Sequence, residues 1–383
     1  MTNLTTARAI LDQLIAFDTT SRNSNLALIE WVEAYLAEHG VTATRVANQE
    51  GNKSNLFATI GPAVEGGVIM SGHTDVVPVD GQDWSSDPFV TVEKDGKLYG
   101  RGTSDMKSFI ALTLAYVPAF VNGSKPIHLA ISYDEEVGCL GAPAMIEEMK
   151  VRVPAPRLAI IGEPTLMKLV TAHKGISVFK VEVRGAEAHS SLVNHGISAN
   201  EHAIDLMHSL IELSRTLKAN ADPDSGFDPP YPTLTIGLMN GGEAGNILAG
   251  HAEFQFDLRC PPGYVTEELL APFKARCEAL DIELSERFAQ AGVTFTKIAD
   301  APPLSDAGSE DAIAFVQSLT GENSPPSKVS YAAEAGQFQQ GGFPTVICGP
   351  GSIEQAHQPD EWIAIDQLEQ GCRFMERLAE ELR

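Results

Sequence analysis

Five short segments of the sequence carry residue types that bind cations and move protons. The first is Ser71-Gly72-His73-Thr74-Asp75, at the end of an apolar run over 68–71. A neutral imidazole is a good ligand for zinc-type ions, and a carboxylate two residues on can accept the other ring N–H and fix the tautomer. The second, Gly100-Arg101-Gly102-Thr103-Ser104-Asp105-Met106-Lys107, is a glycine-rich turn that delivers Asp105 just before a helical pattern. That carboxylate could bridge two cations, or merely cap the helix. The third is Asp134-Glu135-Glu136-Val137-Gly138. Neighbouring carboxylates repel one another unless cations neutralise them. The fourth is Gly162-Glu163-Pro164. The fifth is Ala356-His357-Gln358-Pro359-Asp360-Glu361, behind the loop Cys348-Gly349-Pro350-Gly351-Ser352. Each segment alone has an ordinary reading: a core histidine, an N-cap aspartate, a solvated acidic loop. Together they supply two histidines, an aspartate and two or more glutamates without a thiolate. That donor set suits a pair of Zn, Co or Mn ions, a common hydrolytic device.

Four of the five segments stand where a strand-like run ends, and ligands of open α/β sheets bind beyond the carboxyl ends of strands. Helical spacing of apolar residues predicts helices over 4–17, 25–39 and 107–120. Short β-like runs lie at 41–46, 55–60, 68–71, 127–133 and 158–161. The unbroken apolar runs among them predict an α/β fold with a mixed, mainly parallel sheet covered by helices. From about residue 175 the texture changes. Alternating strands at 176–183, 232–239 and 252–258 and helices at 198–217 and 267–280 predict an inserted α+β unit of βαββαβ type. The expected organisation is a first catalytic part over 1–175, the insert over 176–290 and a second catalytic part over 291–383. In the last part, helices are expected at 311–319 and 367–381 and a strand at 345–348.

The chain has 383 residues, with 51 acidic against 27 basic and a net charge of −24, which argues against nucleic acid or an anionic membrane as partner. No apolar run approaches the ~18 residues that a membrane helix needs. The N-terminal stretch reads as an amphipathic helix of a cytoplasmic protein. Five scattered cysteines without a CxxC pair argue for free thiols and against a cysteine metal site.

The five motifs, in this order, resemble those of the aminoacylase/carboxypeptidase family of di-zinc amidohydrolases, and the resemblance covers essentially the whole chain. It implies a zinc-peptidase-like fold whose insert is a lid and dimerisation domain, two divalent ions (zinc, with cobalt as a workable substitute), a small N-acyl amino acid as substrate and a homodimer formed through the insert. It implies His73 and Glu163 as ligands of one ion, Glu136 and His357 of the other, and Asp105 as the shared ligand. Asp75 is implied as the residue that orients His73, and Glu135 as the general base. His189, in Ala188-His189-Ser190-Ser191, matches a histidine that stabilises the developing oxyanion, and Asn246 and Arg259 match positions that bind the substrate carboxylate. The region around Glu334, Gly349 and Gly351 is most similar to members that release acetate from N2-acetyl-L-ornithine, with Glu334 facing the side-chain ammonium. Succinyl-diaminopimelate desuccinylases, general N-acyl amino acid deacylases and glutamate-type carboxypeptidases are the alternatives. The chain departs from the usual pattern at Ser108, Val193 and Ser198, none of them an expected ligand. A non-catalytic descendant would be expected to have lost Glu135 or a ligand, and all are present.

Overall fold

A computed structural model describes residues 3–321 and 324–383. It opens with α1 (Asn3–Ile15) and α2 (Leu26–Glu38). In α1 the buried positions Ala7, Ile10, Leu11 and Leu14 follow the helical repeat, which turns one stripe to the core. There follow β1 (Ala43–Ala47), β2 (Ser54–Ile60), β3 (Val68–His73), β4 (Val92–Lys94) and β5 (Lys97–Tyr99). Next come α3 (Lys107–Ala115), α4 (Val117–Phe120), β6 (Ile127–Ser132), α5 (Ala142–Arg152), β7 (Leu158–Ile161) and β8 (Val170–His173). The helix expected over 107–120 breaks at Tyr116, because Pro118 in the first turn of α4 has no N–H to continue the ladder of α3.

The next stretch builds a different sheet from β9 (Gly175–Arg184), α6 (Ala199–Ala219), β10 (Thr233–Gly241), β11 (His251–Cys260), α7 (Thr266–Arg287) and β12 (Gly292–Ala301). The chain then completes the first unit with α8 (Glu310–Thr320), β13 (Ser327–Val329), α9 (Ala335–Gln340), β14 (Thr345–Ile347), β15 (Trp362–Ala364) and α10 (Ile365–Glu381).

The chain forms two compact units. The first comprises Met1–His173, Leu304–Lys328 and Ala333–Arg383, and the second Lys174–Pro303 with Val329–Ala332. The first unit is organised on a sheet of order β1-β2-β6-β3-β7-β14-β8-β13. Its middle, β6-β3-β7-β14, is parallel, while β1, β2 and β8 pair antiparallel. Every residue of β3, β6 and β7 is buried, as expected for strands covered on both faces. A small sheet, β15-β5-β4, lies apart. Its strands of three residues each are too short for an alternating pattern to be legible.

The second unit is an antiparallel sheet of order β10-β11-β9-β12. Residues of β9 and β11 alternate between buried and half-buried, and one face stacks Phe179, Phe256 and Phe295 under the edge of Phe273 from α7. The insert expected over 176–290 stops one strand short. β12 runs along β9 from Gly292 opposite Arg184 to Ala301 opposite Ile176, and so belongs to this sheet. Lys297, Asp300 and the bulge between Lys297 and Ala299 hide its alternation in the sequence.

Candidate metal centre

The four parallel strands of the first unit point their carboxyl ends the same way, and the acidic segments stand on those ends. β3 ends on His73, β6 leads into Asp134-Glu135-Glu136, β7 into Gly162-Glu163, and β14 into the loop of Gly349 and Gly351.

His73 is buried. Its Nδ1–H donates to the main-chain carbonyl of Asp75 at 2.9 Å. In the neutral ring Nε2 therefore holds the lone pair, and it faces Asp105 Oδ1 at 3.0 Å. Two electron-pair donors at that distance need a cation between them. Without a metal a proton takes that place: burial acts to lower the His73 pKa, but Asp105, Glu135 and Glu163 outweigh it and hold the pKa well above the usual imidazole range. The second oxygen of Asp105 lies 3.4 Å from His357 Nε2, and Glu136 Oε2 lies 3.0 Å from the same nitrogen. Ligand atoms thus converge in two sets, His73–Asp105–Glu163 and Asp105–Glu136–His357, joined at Asp105.

The electrostatics match a site built for positive charge. Burial, then the Asp105 carboxylate, pushes Glu136 up to about 7. Burial raises Glu163 well above the carboxylate range, with Asp105 adding to it. Oε1 of Glu163 is buried without a hydrogen-bond partner. Asp105 is the exception: burial acts to raise it, yet hydrogen bonds from His357 and His73 bring it below the usual range. Two imidazoles, three carboxylates, one orphaned carboxylate oxygen and no thiol fit a pair of divalent cations. A third acidic group, Glu182, His251 and Glu253 on the second unit, differs in kind. There Lys180 Nζ already lies 3.1 Å from Glu182 and 3.5 Å from Glu253.

Glu135 belongs to neither ligand set. Burial, followed by the Glu163 charge, raises its pKa well above the usual range. The Cys139 thiol donates to its Oε1 at 3.3 Å. Asp75 departs from the expected geometry. Its carboxylate stands 3.6 Å from His73 Nδ1 and instead accepts from Ser21 Oγ (2.8 Å) and from the main-chain N–H groups of Glu135 (3.1 Å) and Glu136 (3.2 Å). The orienting contact to His73 comes from the carbonyl of Asp75, while its side chain fixes the backbone of the two glutamates.

Glu334 is 1% exposed, at the N-cap of α9, and its side chain caps nothing. Its Oε1 has no partner, and burial pushes its pKa up to about 7. Gly349 and Gly351 have a packing reason for being glycine. A Cβ on Gly349 would sit 2.1 Å from the Gly162 carbonyl, and one on Gly351, which has φ +87°, would sit 2.5 Å from Ser104 Oγ.

The remaining expected residues lie on the second unit. His189 Nδ1 accepts from the Ser191 N–H at 3.2 Å, so the neutral ring carries its proton on Nε2, the tautomer that can donate outward. Asn246 is its neighbour in space: the main-chain carbonyl of Asn246 accepts from the Ser190 N–H at 2.9 Å. Arg259 is partly engaged by Asp257, at 3.0 Å along the same strand. Sequence reasoning assigned no role to Gln82, Arg101, Cys139 or Glu361. All four touch the site's framework, and their only signal was proximity to motif residues.

Residues 69–381 match peptidase family M20/M25/M40. The chain belongs to that family. It is 36% identical over 366 residues to an acetylornithine deacetylase of Pasteurella multocida, covering 93% of this chain and 91% of the relative. It is 34% identical over 379 residues to the acetylornithine deacetylase of Proteus mirabilis, covering 95% and 92%. Among solved structures, an M20 family metallo-carboxypeptidase from Sulfolobus solfataricus superposes with a TM-score of 0.76 at 17% identity, over 98% of each chain. This M20 chain is a hydrolase of amide bonds, with the mixed α/β fold of its family. Among the described residues no helix is long and apolar enough to cross a membrane.

Proposed function

We propose that this M20 hydrolase cleaves the amide bond of N2-acetyl-L-ornithine, giving acetate and L-ornithine, with two divalent cations as cofactors, zinc or cobalt. One observation carries the reading: two ligand sets share Asp105, and an uncommitted glutamate, Glu135, is held beside them. His73, Asp105 and Glu163 would hold one ion, and Asp105, Glu136 and His357 the other. Bound ions of this kind act as Lewis acids and lower the pKa of water. Glu135 is the residue that accepts a proton from the attacking water and returns it to the leaving amine. Burial raises this carboxyl above its usual range, which favours holding the proton until it is returned. Asp75 keeps Glu135 and Glu136 in place through their main-chain N–H groups. His189, with Nε2 as donor, serves the oxyanion, and Arg259 and Asn246 bind the substrate carboxylate, in a homodimer formed through the second unit.

The preference for ornithine follows from Glu334. A buried carboxylate with one orphaned oxygen lacks a hydrogen-bond donor, and the side-chain ammonium of acetylornithine is a donor of opposite charge. The deacetylases at 36% and 34% identity support the same substrate. The test is a substrate panel on cobalt- or zinc-loaded enzyme, comparing kcat/KM for N2-acetyl-ornithine, N-succinyl-diaminopimelate, acetyl-leucine and a Gly-Glu dipeptide. Acetyl-ornithine should be preferred, and Glu334→Gln should cut its advantage over acetyl-leucine by about tenfold or more. A better rate with another substrate would reassign the substrate, and an unchanged ratio in Glu334→Gln would remove Glu334 from recognition.

A further inference from the structure

The turn that carries His357 is held in place by a loop distant in sequence. Gln82 Nε2–H donates to the main-chain carbonyl of His357 at 2.9 Å. The other end of the same amide, Oε1, accepts from Arg101 Nη2 at 2.6 Å and from Trp84 Nε1 at 3.0 Å. Arg101 is fully buried, and its Nη1 donates to Glu361 Oε2 at 2.6 Å. Glu361 in turn ties down the Asp105 loop. Oε2 accepts from the Gly102 N–H at 3.1 Å, and Oε1 accepts from the N–H groups of Ser104 (2.8 Å) and Asp105 (3.0 Å). Further along the same loop, Ser85 donates its N–H (2.8 Å) and Oγ–H (2.6 Å) to the Asp360 carboxylate.

A continuous chain of contacts thus runs from the main chain of Asp105 through Glu361, Arg101 and Gln82 to the main chain of His357. These are the shared ligand and the histidine of one ion set. The two residues found only in the other set need no such device, since His73 ends a strand laddered on both sides and Glu163 follows another. His357 sits on a turn with its side chain 51% exposed, and its φ of +64°, like the +55° of Asp360, is unfavourable for a residue with a Cβ. Such a conformation persists where its surroundings hold it, and Gln82 and Ser85 are the groups that grip this turn.

We propose that Gln82, bridging Arg101 to the His357 carbonyl, is a positioning residue that sets the spacing of Asp105 and His357 and thereby governs uptake of the ion held by Asp105, Glu136 and His357. This rests on the two-ion reading above. The experiment is a calorimetric cobalt titration of the metal-stripped full chain, with melting temperatures measured alongside. His357→Ala identifies the step that belongs to the His357 set. Gln82→Leu removes both links, whereas Gln82→Glu still accepts from Arg101 but cannot donate to His357. Both Gln82 variants should weaken the His357 step about 10–100-fold, leave the other step alone and keep the melting temperature of the stripped protein. An unchanged His357 step in either variant overturns the proposal. So does equal weakening of both steps with a lower melting temperature, which would make Gln82 a general prop of the fold. A wild-type chain that takes up one ion overturns the two-ion reading and the clasp with it.

Discussion

Glu135 and Glu136 are adjacent and share the same anchoring carboxylate, Asp75, yet they face different partners. Glu136 meets His357 and lies within a ligand set, while the Glu135 side chain accepts from the Cys139 thiol. The two substitutions should therefore separate. Glu135→Gln should lower kcat about 10²–10⁴-fold, the usual contribution of a general base, while the chain still takes up its full complement of ions. Glu136→Gln should lose an ion as well as activity. Metal analysis beside steady-state kinetics distinguishes them, and loss of metal in Glu135→Gln would make it a ligand rather than a base. Asp75→Asn is a third case. The amide nitrogen would face one of the two main-chain N–H donors, that of Glu135 on Oδ1 or that of Glu136 on Oδ2, so turnover should drop about 10–100-fold through displacement of that glutamate. The converging residues were legible in the sequence because imidazole and carboxylate at strand ends are rare enough in combination to be informative. The use made of Asp75 was not legible, because a spacing of two residues does not say whether the carbonyl or the carboxylate reaches the ring. Proximity to a motif could not single out Gln82, since a glutamine in a loop has no chemistry of its own until its partners are known.

At the scale of elements, the site exists because β6, β3, β7 and β14 run parallel and in contact, so that loops far apart in sequence leave the same edge of the sheet. The close approach of those loops depends on glycine. A Cβ on Gly162 would lie 2.0 Å from the Phe109 ring of α3. Gly162→Ala should therefore force either α3 or the Glu163 loop to move, at about 1–3 kcal/mol of stability, read as a lower denaturation midpoint together with weaker metal uptake. An alanine variant that melts and binds metal like the wild type would show that the Phe109 ring can move aside. The buried strands of this sheet were readable as continuous apolar runs. Strands of the other two sheets were less so: β4, β5 and β15 are three residues long, and β12 alternates through charged residues and a bulge, so that only its pairing with β9 assigns it to the second unit. Likewise α9 is six residues long, too short to show a periodic face, although its N-cap carries Glu334.

For the whole molecule, the acidic surplus is partly internal, and this makes stability depend on pH and metal together. Burial pushes Glu136 and Glu334 up to about 7 from an ordinary 4.5. A carboxyl raised by folding binds its proton more tightly in the native state. Its contribution is complete below the unfolded pKa and is lost as pH rises through the folded one. His357 adds the same sign at higher pH. Hydrogen bonds to Asp105 and Glu136 raise it from 6.5 to about 10, so its contribution is complete below the lower value and is lost as pH rises through the upper one. Asp105, held low, works the other way, but only in strong acid. The metal-stripped chain should therefore melt at a lower temperature at about pH 8 than at about pH 5, opposite to a protein whose carboxylates are stabilised as anions. Divalent ions reverse this, since they bind the ionised carboxylates and stabilise the folded chain by mass action, whereas protons compete with them in acid. Added zinc or cobalt should raise the melting temperature more at about pH 8 than at about pH 5. Thermal melts of stripped and loaded protein at the two pH values test both signs. A stripped chain that gains stability as pH rises would mean that the buried carboxylates are satisfied without cations, and the two ligand sets joined at Asp105 would lose their reason for being buried.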